Sequence, residues 1–342
     1  MNNLAHNSIS RFKELVNTAS KVVIVSHTHP DGDALGCASA MFHFLNSTLR
    51  KDAVFLVEKE ISSTLEFILK GVRRTDDVAV LETCDLVIAL DFNRLSRTAP
   101  GFEDALQRCR ATKILVDHHL NPCLEEFDLV FSEIQVSSAS ELLFWILRKV
   151  QGDSLKGLSK PALTALMCGM TTDTNNFANS VWPTTLEMAS QLLAAGVDRD
   201  DIIRRIFNSY RSARVKAFGY LLNNCLAIRD GYSYIIISRE FKRKFGIREG
   251  ELEGLVNVPL SIGKIKISIT LTEDDGFYRI SLRSKRGIKV NRLAAECFHG
   301  GGHEQASGGR LYPGSDIPSR EDLPSYIEEC TARFLHSEKN RI

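Results

Sequence analysis

The chain has 342 residues, of which 44% are hydrophobic and 25% charged, enough for a sizeable core and about two domains. Its 43 Lys+Arg and 42 Asp+Glu nearly cancel to a net charge of +1, which argues against a protein that coats long nucleic acid while leaving room for a local basic cleft. The 8 cysteines show no Cys-x-x-Cys spacing and no apolar stretch approaches the roughly 20 residues of a membrane span, so a soluble cytoplasmic protein with reduced thiols is expected.

The polar residues 1–10 do not read as a secretory signal. Ile9, Phe12, Leu15 and Val16 then recur at helical spacing and predict a short amphipathic helix. From there apolar runs at 22–25, 54–57, 86–90, 114–116 and 129–131 read as strands covered on both faces. Helices are expected at 34–46, 103–110, 140–150 and 161–170, the last opened by Pro161. In the first of these Leu35, Ala38, Phe42 and Leu45 share a face, and His43 falls on the polar side. Alternation of strand and helix predicts a doubly wound parallel sheet.

Helical spacing continues through 186–195, 201–208 and 213–225, with Gly196 as a cap. The pattern then changes. Strands are expected at 232–237, 264–272 and 277–283, where Ile265, Ile267, Ile269 and Leu271 alternate with polar residues. Residues 273–276 form a hairpin turn, 290–298 a helix, and 300–309 a glycine-rich turn. The expected division is a first domain at 1–196, a helical connector at 197–228 and a second domain at 229–342.

Chemistry-bearing residues fall where these strands end. His27, Asp31 and Asp33 follow the first run, Asp91 the third, and Asp117-His118-His119 the fourth. Asp173 follows the helix that ends near 170. In an open parallel sheet ligands bind at the C-terminal strand ends, so neighbouring strands would gather these groups in one crevice. Each has a bland alternative: Asp-Gly-Asp is often a turn, a lone Asp a helix cap, and paired histidines packing residues. Jointly they offer carboxylates and imidazoles for two divalent ions, one carboxylate bridging. Such a pair supplies a nucleophile from water near neutrality and screens phosphate charge, which points to phosphoester hydrolysis. In Gly300-Gly301-Gly302-His303, backbone N–H groups can approach a phosphate. Arg283 can pair with one in bidentate fashion, whereas Lys285 and Arg286 read as a solvated turn.

Together these motifs resemble the DHH–DHHA1 phosphoesterase family. The resemblance rests on His27-x-x-Pro-Asp31-Gly-Asp33-Ala34-Leu35-Gly36, on Leu90-Asp91-Phe92-Asn93, on Asp117-His118-His119 and on Thr172-Asp173-Thr174. The run 300–303 with Ala306-Ser307-Gly308 completes it. It implies an N-terminal doubly wound DHH domain and a smaller C-terminal α/β DHHA1 domain with a mixed sheet, with the active-site cleft between them. His27, Asp31 and Asp91 would hold one metal ion; Asp33, Asp91, His118 and Asp173 would hold the other. Mn²⁺ is the first expectation, with Mg²⁺ or Co²⁺ as alternatives. His119 would touch the scissile phosphate, oriented by Asp117, while Arg283, Gly301, Gly302 and His303 would bind substrate. Cys37 stands where the family often has serine, at a helix start without a ligand role.

The layout is similar to the nano-RNase/pAp phosphatase branch. That implies short RNA, linear dinucleotides such as pApA and pGpG, and 3′-phosphoadenosine 5′-phosphate (pAp) as substrates, cut by hydroxide generated between the two ions. A cyclic-di-AMP phosphodiesterase is the alternative reading, and a non-catalytic nucleotide sensor the alternative from another class. Neither a membrane nor long nucleic acid is an expected partner. The oligomeric state stays open, a homodimer included.

Overall fold

The computed structural model describes residues 6–248 and 250–339. The chain divides into two compact units, one running to Ser209 and the other from Tyr210.

The first unit runs α1 (His6–Thr18), β1 (Lys21–Val25), α2 (Gly32–His43), β2 (Asp52–Leu56), β3 (Arg74–Thr75), β4 (Leu86–Leu90), α3 (Phe102–Arg108), β5 (Thr112–Asp117) and β6 (Leu129–Ser132). Helices α4 (Ala139–Val150), α5 (Lys160–Asp173), α6 (Pro183–Ala194) and α7 (Arg199–Phe207) follow. The strands form one parallel sheet in the order β3-β2-β1-β4-β5-β6. Every residue of β4 is buried, because its side chains feed two cores. Leu86, Ile88 and Leu90 pack with α1, α2, α4 and α5; Val87 and Ala89 pack with α3. The doubly wound parallel sheet is thus present, with apolar side chains supplied to both faces.

Helix α2 departs from the expected amphipathic pattern: all its residues, His43 included, are buried. It lies against both the sheet and α5, which leaves it no solvent face. Close approach of α2 to α5 requires glycine. A Cβ on Gly36 would sit 2.7 Å from Ala165 O and 2.9 Å from Gly169 Cα.

The second unit contains α8 (Ser212–Tyr220), β7 (Ala227–Ile228), β8 (Tyr232–Ile237), α9 (Arg239–Phe245), β9 (Ile267–Glu273) and β10 (Tyr278–Ser284). It continues through α10 (Val290–Cys297), β11 (Gly301–Gly302), β12 (Ala306–Leu311) and α11 (Leu323–Lys339). Its sheet, ordered β11-β12-β10-β9-β8-β7, is mixed: β8 and β9 are parallel and the other pairs antiparallel. One face packs against α10 and α11 through Ile269, Leu282, Leu293 and Ile327. A smaller cluster of Leu221, Ile235, Ile237 and Leu255 covers the other face at β8.

Residues 300–309, expected as a turn, instead form β11 and most of β12. Glycine permits the crowding: a Cβ on Gly300 would lie 2.0 Å from Gly308 O, and one on Gly309 would lie 2.3 Å from Phe298 O. Helices α9 and α11 form where no element is expected. Leu323, Ile327, Cys330 and Phe334 of α11 do lie at helical spacing and are buried. No described helix is long and apolar enough to cross a membrane.

Candidate metal centre

The first sheet reverses its direction of growth between β1 and β4. Loops leave such a switch point on opposite sides and open a crevice at the C-terminal strand ends. His27 to Asp33 follow β1, Asp91 follows β4, and Asp117 closes β5.

The loop after β1 is fixed from three sides. Thr28 N donates to Arg97 O at 2.8 Å, while Thr28 Oγ1 and His29 N donate to Glu58 at 3.0 and 2.5 Å. His27 Nδ1 is 2.8 Å from Thr28 O. A carbonyl only accepts, so Nδ1 carries a proton and Nε2 is the atom that could bind a metal once it gives up its own. That Nε2 faces Asp91 Oδ2 at 3.6 Å and Asp31 Oδ1 at 3.9 Å. Asp31 is also the N-cap of α2, its Oδ1 accepting from Asp33 N at 3.0 Å and Ala34 N at 3.1 Å. The bland reading and the ligand reading therefore share one carboxylate.

Asp33 is buried in the first turn of α2. Its two oxygens accept from Ala139 N at 2.6 Å and Ser140 N at 2.9 Å, at the start of α4. Gly169 of α5 makes room for this clasp: a Cβ there would lie 2.0 Å from Ser140 Oγ and 2.9 Å from Asp33 Oδ1.

Asp91 takes a left-handed backbone with φ of 65°, a conformation Asp adopts more readily than most residues and one that is common at functional sites. Its Oδ2 points to His27, while Oδ1 faces His118 Nε2 at 3.4 Å and His119 Nδ1 at 3.7 Å. His118 Nε2 lies 3.8 Å from Asp33 and 3.6 Å from Asp173. His119 Nδ1 is 2.7 Å from Asp117 Oδ1, a carboxylate with no exposed surface. Asn93 ties the two loops together: its Nδ2 donates to Leu120 O at 2.8 Å, and its own carbonyl accepts from Cys123 N at 2.8 Å.

Three groups of donor atoms result in this unit, each with members within 4.8 Å of one another: His27-Asp31-Asp91, Asp33-His118-Asp173 and Asp91-Asp117-His119. All eight residues expected in this unit meet at one place. Arg283, Gly301, Gly302 and His303 lie in the second unit. There Arg283 stands opposite Ala306 on β12, and Gly302 opposite Ser307. His303 O accepts from Ser307 Oγ at 2.8 Å.

The charges are those of a centre built for cations. Burial opposes protonation of His27, but Asp91 and Asp31 overcome it and raise its pKa to about 9. Burial likewise opposes the charge on His118, and Asp91, Asp173 and Asp33 raise it to about 10. Burial would lift Asp91, yet His118 and His27 hold it well below the usual carboxylate range. Burial, then Asp91 and Asp173, push Asp33 well up. Burial also lifts Asp173 to about 6, with Asp31 and Asp91 adding to the shift. Asp173 closes a helix at its negative end, which a cation there would favour further.

Asp117 Oδ2 is buried and accepts no hydrogen bond among the described residues, an arrangement that costs free energy unless a cation completes it. Oxygen and imidazole donors of this kind fit a hard or borderline divalent ion.

Imidazole binds metal only when neutral. Metal uptake near pH 7.5 at these groups is therefore expected to expel protons, those of His27 and His118 among them. Calorimetry in buffers of different ionisation enthalpy counts them, and uptake without proton release contradicts these protonation states. The same shifts set a stability window. Both folded values exceed the ordinary 6.5, so the imidazolium contacts stabilise the chelator-treated protein below pH 6.5 and are lost as pH rises through 9 to 10.

Residues 21–170 match the N-terminal domain of the DHH family, and residues 231–330 match the DHHA1 domain. The crystal structure of an exopolyphosphatase-related protein from Bacteroides fragilis is 33% identical, covers 99% of each chain and superposes with a TM-score of 0.89. The chain belongs to the DHH family. A probable bifunctional oligoribonuclease and PAP phosphatase NrnA of Streptococcus mutans is 29% identical over 310 residues, 88% of this chain and 92% of that protein. The cyclic-di-AMP phosphodiesterase GdpP of Geobacillus thermodenitrificans is 28% identical over 316 residues, 85% of this chain but 44% of that protein. This DHH-family chain is a hydrolase of phosphoester bonds that acts on nucleotides. DHH phosphoesterases depend on metal ions, and the acid–imidazole groups at the switch point are the candidate binders.

Positions outside the expected set shape the site. Gly169 sits within an apolar helix, where an isolated glycine is itself a packing signal. Glu58 follows a strand end, as the expected ligands do, and its carboxylate accepts from Thr28 Oγ1 and His29 N in the loop after β1.

Proposed function

We propose that the chain hydrolyses short oligoribonucleotides, linear dinucleotides and pAp with two Mn²⁺ ions. His27, Asp31 and Asp91 hold one ion; Asp33, Asp91, His118 and Asp173 hold the other. Asp91 carries the proposal, because its two oxygens face opposite groups, Oδ2 toward His27 and Oδ1 toward His118. When bound, the ions supply a nucleophile from water near neutral pH and offset phosphate charge.

The side chains do the rest. Asp117 orients the His119 ring through Nδ1, and His119 contacts the scissile phosphate as charge builds on it. Arg283, Gly301, Gly302 and His303 bind the remainder of the nucleotide. The similarity to the Streptococcus mutans relative, over most of both chains, supports the substrate class.

The test is a panel of pAp, pApA, pGpG, short RNA and cyclic dinucleotides with Mn²⁺. Turnover of pAp and the linear substrates well above that of cyclic ones is expected. A preference for cyclic-di-AMP overturns the substrate assignment in favour of a phosphodiesterase like the Geobacillus relative, of which this chain spans less than half. No phosphate or nucleotide release from any member would leave a sensor and remove the enzyme.

A further inference from the structure

Two carboxylates proposed for the second ion, Asp33 on α2 and Asp173 at the end of α5, depend on groups behind them. Asp33 accepts from Ala139 N and Ser140 N, so its aim follows the turn that opens α4. Glu141 sets that turn. Its N–H donates to Ser138 Oγ at 3.0 Å, and its Oε2 accepts from Ser137 N at 2.9 Å and Ser137 Oγ at 2.6 Å. Such reciprocal bonds cap a helix start.

Capping alone does not call for the rest of this side chain's setting. Glu141 has no exposed surface, whereas a glutamate that caps at the surface keeps its hydration. Its Oε1 is buried with no hydrogen-bond partner among the described residues, which is a further cost. Its Oε2 takes a third bond, from Thr185 Oγ1 of α6 at 2.6 Å. Thr185 Oγ1 in turn accepts from Trp182 N at 3.0 Å, at the end of the segment that starts from Asp173. In that segment Asn175, Asn176, Phe177 and Ser180 have φ of 47°, 58°, 65° and 51°. Asparagine tolerates this region, but phenylalanine there is an outlier. Backbone of this kind persists only where its surroundings over-determine it. Near Asp173 the ties are Asn176 N to Thr171 O at 2.8 Å and Phe177 N to Thr174 Oγ1 at 3.0 Å. At the far end the tie is Thr185 and, through it, Glu141. One buried carboxylate thus connects the clasp on Asp33 with the chain that leaves Asp173.

We propose that Glu141 is a positioning residue for the second cation site. Through Ser137 it aims the N–H groups that hold Asp33, and through Thr185 it anchors the segment after Asp173. The inference rests on the proposed sharing of one ion by Asp33 and Asp173.

The experiment titrates the full chain with Mn²⁺, reads the free ion by electron paramagnetic resonance, and runs thermal melting beside it. In Glu141→Ala and Thr185→Val, one of two bound equivalents is expected to weaken about tenfold while the other stays within about twofold of the wild type. Thr185→Val leaves the cap on α4 intact, so it carries the test if Glu141→Ala does not fold. Glu141→Gln, whose carbonyl can accept the same bonds, should retain both equivalents. Ile146→Val, in the core side of the same helix, lowers the melting temperature through lost packing and should leave both equivalents unchanged. At limiting Mn²⁺ the kcat of Thr185→Val for pAp should fall and recover as Mn²⁺ is raised. A lower melting temperature with both equivalents as in the wild type, or equal weakening of the two, overturns the positioning role. A wild-type chain that binds a single equivalent removes the two-ion reading, and this inference with it.

Discussion

Replacing Asp91 by alanine is expected to lower kcat/KM for pAp at least about a thousandfold, some 4 kcal/mol of transition-state stabilisation. Among the described residues no other carboxylate faces both His27 and His118. Its left-handed backbone aims the side chain into the crevice from the end of β4, so a neighbour cannot substitute without moving the strand. Asp91→Asn retains the shape and one neutral oxygen donor. It is expected to lose nearly as much, since the negative charge is what two cations would share. Stability should not follow activity. Asp91 is one of the charges that push Asp33 upward, and its removal relieves that repulsion while depriving the two histidines of a partner. Steady-state kinetics with saturating Mn²⁺, beside thermal melting, separate the two effects. A folded Asp91→Ala enzyme with ordinary turnover contradicts the assignment.

Gly169→Ala is expected to destabilise the protein by about 1–3 kcal/mol and to damage hydrolysis as well. In a helix interior alanine normally gains up to about 1 kcal/mol over glycine, so the predicted sign opposes intrinsic propensity. The added carbon would overlap Ser140 Oγ at 2.0 Å and press Asp33 Oδ1 at 2.9 Å. Relief requires α5 to move from α4, or Asp33 to leave the N–H groups of Ala139 and Ser140. Gly219→Ala provides the control: that glycine lies in α8, where a Cβ would meet nothing within 4 Å, and there propensity should win. Urea denaturation of the two variants reads the contrast. Equal stability of Gly169→Ala and the wild type removes the packing argument.

Both predictions draw on features with unequal visibility in the sequence. The candidate ligands at the strand ends are legible because a buried parallel strand is an apolar run, and a carboxylate or imidazole that breaks it has few reasons to be there. Asp91 and Asp117-His118-His119 stand out on that ground alone. That β1, β4 and β5 are neighbours follows from the doubly wound order. The clasp on Asp33 is not legible, since it joins residues more than a hundred positions apart through backbone N–H groups that leave no mark on side-chain identity. Nor is the burial of His43. Helical periodicity reports one apolar face, while α2 is enclosed on every side and takes small residues on the second. The glycine run at 300–309 is ambiguous for the opposite reason. Glycine marks both flexible turns and crowded backbones, and only the register of β11 and β12 tells which applies.

The proposed reaction requires one carboxylate to join two cation sites. Anomalous scattering from crystals grown with Mn²⁺ locates the ions themselves. Two peaks about 3.5–4 Å apart are predicted, one beside His27 and Asp31, the other beside Asp33, His118 and Asp173, with an oxygen of Asp91 against each. A single peak, or two that Asp91 does not share, contradicts the bridged pair.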